Sequence, residues 1–159
     1  MILLNPKLHN RKYRDEKTRD LMQKTIDFLE NKGLKKIKED WHEKKWNYDF
    51  VEFMKESQAM ATLMTPAGYG AEDSRWDTYR NSAFAEITCF YGITYWYTFQ
   101  VSMLGLGPLF LGKNEELKHK TAQLLADGKV FAFGLSEKEH GADIYSTDMQ
   151  LEPQEDGTY

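Results

Sequence analysis

The feature that most constrains this chain is a nearly continuous apolar stretch that runs from Phe84 to Leu111. Its apolar residues go most of the way round a helix, so the helix must have neighbours on several sides. Glu86, Gln100 and several glycines interrupt the stretch. A buried helix in a globular protein therefore explains the pattern better than a membrane span does.

The limits of this central helix follow from residues that start or stop helices. We expect it to begin near Trp76 or Thr78 and to run to about Leu104. Glycine and proline lower helix propensity beyond that point. The residues that we expect to end the helix are Gly105, Gly107 and Pro108.

Helical patterns also occur on both sides of the apolar stretch. Asp15 is a suitable N-cap for a first helix, which Gly33 is expected to end. A second amphipathic helix is expected to begin at Asn47 or Asp49 as its N-cap and to extend to Ala61. The last one has Asn114 as its N-cap and ends at about residue 128. The chain is therefore predicted to be mainly α.

The character of the chain changes after residue 128. The segment Val130–Leu135 is short, apolar and partly β-prone, and Thr147–Leu151 could be a second strand. Two strands do not make a stable sheet by themselves. We expect a helical domain at residues 1–128 and, at residues 129–159, the first one or two β-strands of a truncated β domain. A chain of this kind is expected to be a fragment of a longer protein.

Composition and charge exclude several classes of function. The formal net charge is -4, and the basic run Lys32–Lys38 lies among acidic residues, so no nucleic-acid partner is expected. The single cysteine, Cys89, suits a reducing, cytoplasmic compartment, and its apolar surroundings predict a buried, inert thiol. The sequence shows no His-rich or Cys-rich metal spacing and no glycine-rich dinucleotide motif after a strand.

Three local motifs occur in a fixed order along the chain. The first is the loop Leu63–Gly70, which contains a proline and a Tyr-Gly pair. The second is Gly107-Pro108 followed by Gly112–Lys118, and the third is the segment Phe131–Asp143. Together they resemble the acyl-CoA dehydrogenase family, whose signature Thr-Glu-Pro-x-x-Gly-Ser-Asp is similar to the third motif. The resemblance extends over nearly all of the chain from about residue 15.

This resemblance implies a fold and an activity. The chain would be the amino-terminal up-down helical domain of the acyl-CoA dehydrogenase type, followed in the whole protein by a β domain and a four-helix bundle. FAD would lie in the cleft between these domains. The full-length protein would be a homo-oligomer that oxidises an acyl-CoA thioester at its α and β carbons. An electron-transferring flavoprotein would accept the electrons.

The resemblance also implies which residues would contact the flavin. They are Phe133, Leu135, Ser136, Gly141 and Ala142. Phe133 and Leu135 would flank the ring, and Ser136 would form a hydrogen bond near its reactive edge. Gly141 would let the backbone approach a phosphate closely. Ala142 stands where the family has a serine, and this position would also contact the CoA portion of the substrate.

For the substrate, the resemblance implies an acyl pocket beside the central helix. Its wall would be formed by Tyr97, Gln100, Met103 and Leu104, whereas periodicity alone makes these positions core residues. Large side chains here predict a short, branched or aromatic acyl group. No catalytic base is assigned, because the family's base lies in the carboxy-terminal domain. We expect Glu86 to be a buried carboxylate paired with Arg or Tyr.

Two alternatives to the dehydrogenase remain open at this point. Acyl-CoA oxidases, nitroalkane oxidases and flavin-dependent monooxygenases share the architecture and differ in whether oxygen reaches the reduced flavin. A helical interaction module without catalytic activity is the other alternative. The isolated chain itself is expected to be inactive and to hold FAD weakly or not at all.

Overall fold

The computed structural model describes residues 12–158. Within this range the chain is mainly helical, with seven α-helices and one short 3₁₀ turn, Ile144–Ser146. In chain order the helices are α1 (Glu16–Lys32), α2 (Leu34–His42), α3 (Tyr48–Glu56), α4 (Ala59–Met64), α5 (Thr78–Tyr91), α6 (Ile93–Leu111) and α7 (Glu115–Ala126).

The helix starts that were predicted from capping residues are confirmed. The Asp15 side chain accepts a hydrogen bond from the amide of Thr18, 2.7 Å away, at the start of α1. Asn114 does the same for the amide of Leu117 at the start of α7. Gly33 follows α1 with a φ of 77°, a left-handed conformation that favours glycine. These helix ends depend on hydrogen bonds between residues that are close in sequence. The types of the capping residues therefore predict them.

The central helix is two helices, not one. Gly92 separates α5 from α6 and has an extended backbone with a φ of 175°. The expectation that α6 would end at Gly105, Gly107 or Pro108 is also wrong, because the helix continues to Leu111. Leu106 in this part of α6 is fully buried. Burial of that kind outweighs the low helix propensity of glycine and proline.

The helix that was predicted from Asn47 to Ala61 is likewise divided, into α3 and α4. Gln58 lies between them with a φ of 56°. Its side-chain amide donates to the carbonyl oxygens of Lys55 and Ala126, each 2.8 Å away. These two bonds hold the turn against the end of α7 and stabilise a backbone conformation that is uncommon outside glycine.

The hydrophobic core lies where α1, α5 and α6 meet, with α3, α4 and α7 packed around them. Phe50 of α3 is completely buried, and its ring meets that of Tyr95 edge to face at a centroid distance of 5.0 Å. Phe84 and Phe99 join α5 to α6 with their rings tilted at 46° and their centroids 4.7 Å apart. Aromatic pairs of this geometry add to the stability that their buried area provides.

A charged cluster joins four helices beside this core. The Lys32 ammonium lies 2.6 Å from Asp49 and 3.1 Å from Asp40, and its Nζ is 5.6 Å from the centre of the Tyr95 ring. Burial alone would lower the pKa of Lys32, but the two carboxylates outweigh it and raise the pKa. Lys32 therefore stays charged at the junction of α1, α2, α3 and α6.

The chain after α7 contains no β-strand within residues 12–158. The predicted strands Val130–Leu135 and Thr147–Leu151 are extended or irregular segments. A strand needs a neighbour to accept and donate its backbone hydrogen bonds, and no segment of the described chain pairs with either of them. Within residues 12–158, no helix is long and apolar enough to cross a membrane.

Two side chains of α5 differ from their predicted burial. Cys89 is exposed, although its apolar neighbours predicted a buried thiol. Glu86 is also exposed and is not the buried carboxylate that was expected. Both residues lie on the outer side of α5, whereas Phe84 and Ile87 face the core. An apolar neighbourhood in sequence does not show which side of a helix a residue occupies.

Replacing Asp15 with asparagine should make folding less sensitive to acid. Partial burial would raise the pKa of Asp15, but bonds from Arg75 and Thr18 outweigh it and lower the pKa from 3.8 to about 2. The charge therefore adds stability above pH 3.8, and this contribution disappears as the pH falls towards 2. The introduced asparagine can still cap α1. We expect a loss of about 1 kcal/mol at neutral pH, discounted for solvent exposure.

The measurement is urea unfolding of the wild-type protein and of the Asp15→Asn variant, each at neutral pH and at pH 2. The difference between the two proteins should shrink at the lower pH. Asp20→Asn, a change at an exposed position of α1, serves as the control and should leave the pH dependence unchanged. A constant difference at both pH values would show that the Asp15 charge contributes nothing.

Candidate functional site

The extended segment after α7 lies directly against α6. The Ser102 hydroxyl accepts a hydrogen bond from the amide of Phe131 (3.3 Å) and donates to its carbonyl oxygen (3.1 Å). One helical turn further on, a Cβ added to Gly105 would lie only 2.5 Å from the carbonyl oxygen of Ala132. The close approach therefore requires a glycine at position 105, and the Ser102 hydroxyl sets the register of the segment.

Beyond this contact the segment offers an open polar edge. The backbone amides of residues 133–136 donate to no other residue within the range 12–158. Phe133 and Leu135 are 43% and 38% exposed, so their apolar side chains partly flank that edge. Ser136 is exposed as well. A flat ligand with a polar rim needs hydrogen-bonding groups of this kind next to apolar contacts.

The turn that follows is closed by its own side chains. The amide of Gly141 donates to a carboxylate oxygen of Asp143, 2.9 Å away. The His140 ring lies between Asp143 (2.8 Å) and Asp148 (3.3 Å). The hydrogen bond with His140 is the main cause that lowers the pKa of Asp143. The amide of Gly141, where a phosphate contact was predicted, is thus already occupied by a carboxylate.

Glu137 holds the next part of the chain against this turn. Its carboxylate accepts hydrogen bonds from the amides of Asp148 and Met149, at 2.9 and 2.8 Å, and from the hydroxyl of Thr147. These bonds lower the pKa of Glu137, with the Thr147 hydroxyl as the largest cause. The carboxylate ties residues 147–149 to the turn and keeps it negatively charged.

The same turn brings together three possible metal ligands. Single ligand atoms of Glu137, His140 and Asp148 all lie within 4.8 Å of one another. The sequence did not predict this cluster, although the Glu-x-x-His spacing was visible in it. Hydrogen bonds within the turn already account for all three side chains. The cluster alone therefore does not indicate a metal site.

The predicted substrate residues lie at two different places on α6. Gln100 and Met103 line a cleft between α5 and α6 that encloses about 230 Å³. Tyr97 and Leu104 are 60% and 46% exposed and lie outside this cleft. The other residues that line it are Trp76, Thr78, Asn81, Ser82, Ala85, Trp96 and Phe99.

The cleft and the extended segment occupy different flanks of α6. At roughly 100° per residue, the five positions between Gln100 and Gly105 amount to an angle of about 140° around the helix axis. None of the predicted flavin contacts lines the cleft. The structure therefore brings Gln100 together with Met103, but it does not bring either of them to the segment that carries Phe133 and Leu135.

Sequence reasoning missed the buried polar residue of the cleft, Asn81. Asn81 is 7% exposed, and neither its amide nitrogen nor its oxygen has a hydrogen-bond partner in the described structure. It directly follows Arg80, which is almost completely buried and donates from Nη1 to the carbonyl of Asp73 at 3.0 Å. No pattern in the sequence distinguishes Asn81 from a solvent-exposed helix residue.

Comparison of the chain with protein-family models, curated proteins and solved structures gave no significant match.

Proposed function

We propose that this chain is the amino-terminal part of an FAD-dependent acyl-CoA dehydrogenase. The observation that supports the proposal most directly is the open backbone edge at residues 133–136, held against α6 by Ser102 and flanked by Phe133 and Leu135. It coincides with the sequence segment that resembles the family's flavin signature. In a longer protein, this edge would bind the polar rim of the isoalloxazine ring.

The ring-binding part of the segment fits a flavin. Phe133 and Leu135 would contact the ring faces, and the amides between them and the Ser136 hydroxyl would bind its polar edge. Bound FAD would supply the acceptor for the hydride that leaves the acyl-CoA. The residues of this chain would bind and orient the ring and exclude water from it. No residue among those described is assigned as the catalytic base.

The phosphate-binding part does not fit in its present arrangement. Asp143 occupies the amide of Gly141, and the carboxylates of Glu137 and Asp148 add negative charge near it. A pyrophosphate needs donors and positive charge at such a turn. We therefore derive no phosphate contact for Gly141 or Ala142, and both positions remain predictions.

Exposed apolar side chains at the end of α6 and after α7 support the view that further domains or a second subunit cover these parts of the chain. Leu111 is 88% exposed, and Tyr145 and Leu151 are 99% and 78% exposed. Burying such side chains against further domains or a second subunit would be favourable. The proposed whole enzyme is a homo-oligomer of the cytoplasm, with acyl-CoA as its substrate and an electron-transferring flavoprotein as its electron acceptor.

The test uses the longest natural protein that contains this chain. We expect it to purify with bound FAD, to lose its flavin colour when an acyl-CoA is added without oxygen, and to reduce an electron-transferring flavoprotein. Phe133→Ala and Leu135→Ala should each weaken FAD binding about tenfold, because each removes an apolar contact. Met149→Ala, at an exposed position, is the matched control.

A protein that contains no flavin and binds none when FAD is added would contradict the proposal. In that case the exposed apolar side chains would favour the helical interaction module instead. Rapid reoxidation of the reduced flavin by oxygen would be consistent with the proposed fold, but it would identify the protein as an acyl-CoA oxidase or a related flavin enzyme.

A further inference from the structure

We infer that the cleft between α5 and α6 binds an aromatic group that carries a substituent able both to donate and to accept hydrogen bonds. The inference goes beyond the proposed function and does not depend on it, although Gln100 and Met103, which the resemblance placed in an acyl pocket, line the same cleft. The binding of the aromatic group itself rests only on the geometry of the cleft.

Two indole rings contribute to the walls of the cleft. Trp76 comes from the residues just before α5, and Trp96 is the fourth residue of α6. Their rings contact Phe110 and Tyr97, respectively, and do not contact each other. Phe99 and Met103 complete the apolar lining. Flat aromatic surfaces of this kind bind another aromatic ring better than they bind an alkyl chain.

The polar side of the cleft contains an amide whose hydrogen-bonding capacity is unused. Asn81 is more than nine-tenths buried, lines the cleft, and leaves both its nitrogen and its oxygen without a partner among the described residues. A buried amide without partners is costly, because its bonds to water are not replaced. When the Asn81 side chain turns towards the cleft, a ligand group that donates to the oxygen and accepts from the nitrogen would satisfy both atoms at once.

The size of the cleft limits what it can hold. A cavity of about 150 Å³ is enough for benzene, and this cleft encloses about 230 Å³. One substituted ring therefore fits, whereas a long fatty chain does not. A second cleft, of about 250 Å³, lies beside Trp41 and Trp46. Of the two, only the α5–α6 cleft is lined by an amide whose nitrogen and oxygen are both buried and without partners in the described structure.

Benzamide is a suitable probe, because its ring and amide match the two sides of the cleft, and toluene is the apolar comparison. The protein would carry Trp41→Phe and Trp46→Phe, so that the remaining indoles both line the cleft and their fluorescence reports binding. We expect benzamide to bind with a dissociation constant on the order of 1 mM, and about tenfold more tightly than toluene.

Asn81→Leu removes the amide, and it should lower the affinity for benzamide about tenfold while leaving that for toluene unchanged. Asn81→Asp provides a second variant of nearly the same shape that cannot donate, and it should also weaken benzamide binding. Asn31→Leu, at an exposed position of α1, is the matched control. Circular dichroism verifies that each variant folds.

Equal affinities for benzamide and toluene, or an unchanged preference in both Asn81 variants, would overturn the inference. Neither FAD nor CoA takes part in this experiment. The cleft can therefore fail to bind benzamide in a protein that still binds FAD, and it can bind benzamide in a protein that holds no flavin. The FAD measurement and the benzamide measurement therefore test the two proposals independently.

Discussion

Phe50→Ala should lower the free energy of unfolding by about 3–5 kcal/mol, the largest effect that we expect from a single change in this chain. Phe50 is completely buried and contacts the rings of Phe28, Phe53 and Tyr95. Its removal would eliminate this apolar contact area and leave a cavity that three aromatic neighbours cannot easily fill. A domain with a total stability of about 5–15 kcal/mol would lose a large share of it.

Urea unfolding followed by circular dichroism measures this loss. Phe90→Ala is the matched control, because it removes the same atoms from a side chain that is 46% exposed. We expect the control to cost about 0.5 kcal/mol or less. Similar losses in the two variants would show that α3 does not pack into the core as described.

Gly105→Ala should detach the extended segment from α6. The added Cβ would lie 2.5 Å from the carbonyl oxygen of Ala132, a distance that requires the backbone of the segment to move. Overpacking at a tight contact costs about 1–3 kcal/mol. The cost falls on the contact between α6 and the segment, so the bonds between Ser102 and Phe131 should be lost while the helices remain folded.

Hydrogen exchange of the Phe131 amide reports on this contact. Gly105→Ala should accelerate that exchange about fivefold to a hundredfold, because a loss of about 1.4 kcal/mol corresponds to a factor of ten. Gly107→Ala is a close control on the same helix, since a Cβ there would meet nothing within 4 Å. It should leave the exchange unchanged and stabilise α6 by up to about 1 kcal/mol. Equal exchange rates in both variants would refute the close contact at Gly105.

In the longer protein, the same pair of variants tests the proposed flavin edge. If the segment binds FAD while it lies on α6, Gly105→Ala should weaken FAD binding and Gly107→Ala should not. An unchanged FAD affinity in the Gly105→Ala holoenzyme would show that the contact between α6 and the extended segment does not contribute to flavin binding.

The parts of the fold that the sequence predicted are those that local interactions decide. Asp15 and Asn114 cap helices through bonds to amides three residues away, and Gly33 ends α1 through its own backbone conformation. Such signals lie within a few residues of one another. For the same reason, the mainly helical character of the chain and the end of its last α-helix close to residue 128 could be predicted.

The parts that the sequence did not predict depend on distant contacts. The turn at Gln58 is stabilised by the carbonyl of Ala126, 68 positions away. The continuation of α6 beyond Pro108 depends on the burial of Leu106 against other helices. The residues after α7 form no strand in the described chain, because a strand requires a pairing partner, and composition alone does not provide one.

In the candidate site, too, the features that depend on packing between distant residues were not predicted. The resemblance indicated Gln100 and Met103, and both line the cleft between α5 and α6. Asn81 was missed, since the absence of a partner for a buried amide is a property of the packed structure. The turn at Glu137 was also interpreted without its internal bonds, which join it to residues about ten positions further along the chain.

The single residue that connects α5 to α6 has a consequence for how the chain folds. Because Gly92 alone separates the two helices, bringing them together costs little loop-closure entropy. The pair Phe84–Phe99 joins the two helices through residues that are close in sequence, and such contacts favour rapid folding. We expect the α5–α6 hairpin to form early and to provide the surface on which α1, more than 40 positions away, later docks.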